Sequence, residues 1–132
     1  YYREPVSCLK IVESGFFDSI GLFRNCSETQ EQTAKYVMNL VGIRHLEERS
    51  FLKISSAEQR LVLFARTLVK NPEVLILDEP FHGLDNRNLH HCINIVEDFC
   101  RQPGKTLVFV THNAKELPSC VDKTFMLTQS QR

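Results

Sequence analysis

The sequence predicts an α/β fold in which a helical segment leads into part of a parallel sheet. Two solid aliphatic runs, Val74 to Leu77 and Leu107 to Val110, flank a stretch whose apolar residues Leu89, Cys92, Ile93, Val96 and Cys100 recur on one helical face. Strand, helix, strand in that order implies a right-handed crossover and parallel pairing. Ahead of Pro72 the apolar positions follow helical spacing instead, which divides the chain into a helical part over 1–72 and a sheet part over 73–132.

Along the helical part, Pro5 is placed to open a helix, and Gly15, Phe16, Phe17 and Gly21 suggest a break and a turn. Ala34, Val37, Met38 and Val41 then keep helical spacing behind the caps Ser27 or Thr29, and Gly42 stands where that helix would end. A charged link from Arg44 to Arg49 leads to a second helix through Leu61, Phe64, Ala65, Leu68 and Val69. Ser55 with Glu58 three residues on forms a capping box at its start, and Asn71-Pro72 stops it.

In the sheet part, the run Val74 to Leu77 is bounded by Pro72 and Pro80, and its unbroken apolar character predicts a strand buried on both faces. Asp78 and Glu79 fall at its carboxyl end, the edge where open α/β sheets bind ligands. The helix through Leu89 to Cys100 ends by Gly104, and the strand Thr106 to Thr111 delivers His112 to the same edge. A short helix around Ala114 to Leu117, broken by Pro118, and a last strand near Thr124 to Leu127 complete the expected order.

At 132 residues the chain is one domain or part of one. Sixteen basic and sixteen acidic side chains cancel, so no global field draws it toward nucleic acid, and no direct nucleic-acid binding is expected. The five cysteines are odd in number and lack CxxC spacing, which predicts small buried thiols in a reducing compartment, not a disulfide framework. No apolar stretch approaches the roughly 18 residues of a membrane span, and a soluble, cytoplasmic protein is expected.

Three features converge on one sheet edge: the carboxylate pair Asp78-Glu79, the segment Gly83-Leu84-Asp85, and Thr111-His112. Each has an ordinary reading alone. Acids after strands often cap helices or face solvent, Asp85 is placed to cap the helix beginning near Arg87, and a single histidine at a strand end is commonly structural. A fourth piece is Ile54-Ser55-Ser56-Ala57-Glu58-Gln59-Arg60, where a capped helix start presents backbone N–H groups and the positive end of a dipole, which suits a phosphate. His90-His91-Cys92 suggests a metal cluster at first sight, but adjacent helix positions point about 100° apart, and His82 is assigned to the loop beside the acidic pair.

In combination these features resemble the ATP-binding cassette (ABC) ATPases, from about residue 3 to the last strand. "VLILDEP" resembles the Walker B strand, and the resemblance implies that Asp78 faces Mg²⁺ while Glu79 polarises the water attacking the γ-phosphate of ATP. "GLD" resembles the D-loop, ending in Asp85, and His112 resembles the switch histidine that senses the γ-phosphate. Ser55, Ser56, Ala57 and Glu58 fall on the family signature, which contacts ATP held by a second cassette. "SGFFDSIGL" and "THNAKELP" resemble the molybdenum-transport and photorepair-associated branch. A phosphoryl group is transferred by positioning and charge, so a metal-holding and a water-orienting carboxylate belong side by side on a rigid edge.

The resemblance implies a partial sheet of the P-loop NTPase type, an ATPase subunit working with a second cassette and a membrane permease, and a place on the cytoplasmic face of the membrane. Two departures qualify it. No GxxxxGK[ST] phosphate loop occurs in these residues, so the chain is expected to be the Walker B half of a longer cassette, inactive alone. Ser56 and Ala57 replace the two glycines of the signature and Glu58 its glutamine. A non-catalytic ATP-switched or scaffold protein is therefore the alternative reading. The chromosome-maintenance ATPases share these patterns but carry long coiled coils, and no sustained heptad runs through this chain.

Overall fold

The computed structural model describes residues 6–17 and 25–123. Helix α1, Cys8–Glu13, begins at Ser7, whose hydroxyl accepts from the Lys10 N–H, and it passes into a 3-10 turn, Ser14–Phe16. Cys8, Ile11 and Val12 are fully buried because α1 lies against both following helices, α2 over Glu28–Val41 and α3 over Ser56–Leu68. The break expected at Gly15 is a point of close approach: a Cβ there would stand 2.3 Å from the Arg66 carbonyl oxygen and 2.7 Å from a Val69 methyl.

Ser27 caps α2 in a full capping box with Gln30, and Gly42 closes it at φ +92°, a left-handed conformation that favours glycine. The link to α3 contains two 3-10 turns, Arg44–Leu46 and Phe51–Lys53. Long-range backbone bonds hold it: the N–H groups of Cys8, Leu9 and Phe51 donate to the carbonyls of Arg49, Glu47 and Val6. Ser55 and Glu58 form the expected capping box of α3, which ends at Leu68 ahead of Pro72.

Strands β1, Val74–Asp78, and β2, Thr106–Val110, pair in parallel with Val74 opposite Thr106 and Asp78 opposite Val110. Helix α4, Asn86–Arg101, makes the crossover. Leu75 and Leu77 enter one hydrophobic core with Cys92, Ile95, Val96 and Phe99 of α4 and the inner residues of α1 to α3. A last 3-10 turn, Ala114–Glu116, precedes Pro118.

Two expectations are corrected. β1 is not buried on both faces: Val74 and Ile76 are 52% and 64% exposed, as Val108 and Val110 are 44% and 49% exposed on β2. An unbroken apolar run reveals that both faces are apolar, not that both are covered, and among the described residues only the Leu75–Leu77 face has a cover. Nor are all five cysteines buried. Cys8 and Cys92 are, and burial pushes their thiols up to about 11 and about 12. Cys26, Cys100 and Cys120 are half-buried, and the Cys120 thiol donates to the Cys100 sulfur at 2.8 Å. Pro5, Gly21 and the strand expected over Thr124 to Leu127 lie outside the described residues.

Candidate functional site

Beyond Asp78 the β ladder continues for one more bond, from the Glu79 N–H to the Val110 carbonyl at 2.7 Å. Glu79 itself adopts φ +47°, in the left-handed region that a glutamate rarely visits. Such a backbone costs of order 1–3 kcal/mol and persists only where the surroundings over-determine it. They do here. The Glu79 carbonyl accepts from the Arg60 guanidinium at 2.7 Å, and Phe81 anchors the turn with its ring 5.1 Å from that of Phe64 and 5.7 Å from that of Phe109.

The Glu79 side chain faces His112. Its Oε1 accepts from the His112 backbone N–H at 2.8 Å and lies 2.6 Å from the ring Nδ1. Partial burial pushes the Glu79 carboxyl up, but the His112 ring and backbone hydrogen bonds, with the charges of His112 and His82, outweigh it and hold the carboxyl below its usual range. The other oxygen, Oε2, is buried and has no hydrogen-bond partner. The arrangement is an ionised carboxylate with one oxygen committed to a histidine and the other buried without a partner among the described residues.

Asp78 belongs to the other side. It continues the exposed face of Val74 and Ile76 and lines a hollow of about 170 Å³ with Arg60, Thr67 and Pro80. A larger hollow of about 320 Å³, between α2, the end of α3 and α4, is lined by none of the candidate site residues. It brings no basic side chain and no pair of carboxylates to its walls, so the acidic edge is the better candidate.

At the start of α3 the Ser55 hydroxyl accepts from the Glu58 N–H at 3.1 Å, and the Ser55 N–H donates to the Glu58 carboxylate at 2.9 Å. Ser56 is exposed, and Ala57 is half-buried. Asp85 caps α4, accepting from the Asn88 N–H at 2.8 Å, so the helix begins at Asn86. The structure thus brings Glu79 and His112 into direct contact with Asp78 beside them, while no hydrogen bond among the described residues joins Ser55–Glu58 or Asp85 to that edge.

Two residues of this region were not legible as participants. Arg60 stands one helical turn before buried Phe64, which places its stem toward the core, and that spacing was the available signal. His82 was assigned to the loop, yet its ring centroid lies 5.7 Å from that of His112. His91, in contrast, has a structural task, its ring Nε2–H donating to the Leu40 carbonyl at 2.7 Å.

A sequence profile described as ABC transporter matches residues 3–82. The ABC transporter ATP-binding protein ModF of Escherichia coli is 35% identical over 121 residues, covering 91% of this chain and 25% of the relative. The molybdate import ATP-binding protein MolC of Haemophilus influenzae is 28% identical, covering 93% of this chain and 49% of the relative. Among solved structures, CbiO1 of Clostridium perfringens, part of the ABC transporter complex CbiONQ, superposes with a TM-score of 0.66 at 25% identity, over 90% of this chain and 46% of the other. The chain therefore spans only a quarter and about half of the length of these two curated relatives.

Proposed function

The chain belongs to the ABC transporter family, and from that premise we propose that it carries the hydrolytic edge and the signature of an Mg-ATP-hydrolysing cassette. The observation that carries the reading is Glu79, held at φ +47° with one carboxylate oxygen bound to His112 and the other buried without a partner. In this reading the Glu79 carboxylate accepts from the attacking water, its bonds to His112 keep the side chain aimed, and the His112 ring meets the γ-phosphate. Asp78 is a hard oxygen donor with no hydrogen bond of its own among the described residues, which fits Mg²⁺; the ion, when bound, neutralises charge on the phosphate oxygens. Ser55, Ser56, Ala57 and Glu58 at the α3 N-terminus, with Asp85, face ATP and residues of a second cassette.

Residues 1–72 then form the signature-bearing helical part and 73–132 the Walker B half. Support for a half comes from the sheet, whose outer face of Val74, Ile76, Val108 and Val110 is apolar and bare, as a layer meant to be covered would be. The phosphate cradle is supplied from outside these residues. The work driven is transport through a membrane permease, with the cassette on the cytoplasmic face; no helix among the described residues is long and apolar enough to cross a membrane.

One observation favours a second reading, an ATP-switched protein without turnover. The Glu58 carboxylate is fixed at the helix start where the resemblance places an anion, and Ser56 adds a side chain where it expects glycine. Turnover decides between them. In the intact cassette Glu79→Gln should lower ATP hydrolysis by roughly 10² to 10⁴ while leaving ATP binding in place, because the amide keeps the shape but not the basicity. A wild-type rate in that variant would remove Glu79 from the reaction, and an intact protein that binds ATP without hydrolysing it would establish the second reading.

A further inference from the structure

His82 is exposed and has no hydrogen bond among the described residues, and it stands three residues past Glu79, whose backbone is held at φ +47°. Glu79 follows β1, His82 lies in the turn leading to Asp85, and His112 follows β2. One ligand atom from each lies within 4.8 Å of the others. The two imidazole rings lie 5.7 Å apart between centroids with their planes inclined at 46°, so they do not stack face to face. Both histidines are exposed, with His112 bonded to Glu79 through Nδ1, and Glu79 is anchored through its backbone and Arg60.

We propose that Glu79, His82 and His112 form a site for a borderline divalent transition-metal ion, with zinc as the type case, whose occupancy withdraws Glu79 and His112 from hydrolysis. The donor set decides the class of ion. Two imidazole nitrogens and one carboxylate oxygen suit Zn²⁺, Ni²⁺ or Cu²⁺, whereas Mg²⁺ prefers oxygen alone and is better served by Asp78. Zinc bonds of roughly 2.0–2.2 Å in a tetrahedron set neighbouring donors about 3.4 Å apart. The three atoms already lie within 4.8 Å of one another, with His112 Nδ1 and Glu79 Oε1 at 2.6 Å, so a bound ion opens that pair slightly and brings the His82 nitrogen to the same spacing. The fourth position is left to water, as in three-ligand sites. Binding replaces the proton shared between His112 Nδ1 and Glu79 Oε1.

The existence of the site is independent of the proposed hydrolysis, and only its inhibitory consequence rests on that reading. The direct test is titration of the 132-residue chain with Zn²⁺ in competition with a chromophoric chelator, repeated with His82→Ala. One ion per chain is expected, with affinity reduced 10- to 100-fold in the variant. Thiols are the rival ligands, above all Cys100 and Cys120, so Co²⁺ is used in parallel: visible d–d bands without a sulfur-to-cobalt charge-transfer band are expected. Unchanged zinc affinity in His82→Ala, or a cobalt spectrum dominated by thiolate, overturns the site. In the intact cassette, the zinc concentration that halves Mg-ATP turnover should rise at least tenfold in His82→Ala. Zinc binding that depends on His82 but leaves turnover untouched overturns the inhibitory half alone, while loss of the hydrolytic reading through Glu79→Gln leaves the affinity measurements standing.

Discussion

Residues with unremarkable sequence contexts do two things at once in this chain. Ser55 and Glu58 are the plainest case: the serine hydroxyl and the glutamate carboxylate satisfy each other's backbone N–H groups at the start of α3. Ser55→Ala should cost about 1 kcal/mol of unfolding free energy at neutral pH. The Glu58 carboxyl is held below its ordinary value, first by the Ser55 backbone N–H and further by the Ser55 hydroxyl and the charges of Arg49 and His45, against a smaller opposing effect of burial. Its contribution is therefore present above the ordinary carboxylate range and lost as the pH falls through the depressed value. Glu58→Gln should flatten the acid limb of a urea-midpoint-versus-pH curve, and an unaltered limb would show that the box contributes nothing to acid stability. The pairing of Ser55 with Glu58 was readable because a capping box is local in sequence. The contact of Glu79 with His112 was readable only as a shared sheet edge. Arg60 and His82 were not readable, because their partners are set by how β1 and α3 meet.

The elements divide along the same line between local and distant causes. Helices α2, α3 and α4 carry their caps and periodicity in the chain, and each begins within a residue or two of the expected serine or aspartate. The sequence marks Arg44 to Arg49 only as a charged link; its 3-10 turn is closed by local bonds and pinned from outside by Cys8 and Leu9, which no local pattern reveals. The covering of β1 was misjudged because it depends on what lies over the sheet, which no strand encodes by itself. Gly15 joins the first helical segment to α3 with no room to spare. Gly15→Ala would drive a methyl into backbone oxygen and should destabilise by roughly 1–3 kcal/mol. A lower urea midpoint at unchanged slope is the expected signature. An unshifted midpoint would mean that the two segments separate freely.

Across the whole molecule, one side is finished and the other is not. Among the described residues, the inner face of the sheet closes onto a core shared with α1 to α4, while the outer face presents Val74, Ile76, Val108 and Val110 and the two strands pair only with each other. Bare apolar strands of this kind favour pairing with another chain. The 132-residue chain should therefore associate with rising concentration in sedimentation velocity, and Ile76→Lys should restore the monomer; a wild-type chain that stays monomeric throughout would contradict this. The Arg60 bond to the Glu79 carbonyl spans the same distance from helix to sheet. It makes α3 a lever arm with its grip at Ser55 and its working end at the acidic turn. Whatever takes hold of the first turn of that helix does so against a joint only 2.7 Å long, and a tilt of the arm is handed on as a change in where Glu79 aims. In the cassette pair proposed above, a hold on the first turn of α3 would reach the Glu79 backbone through Arg60 alone.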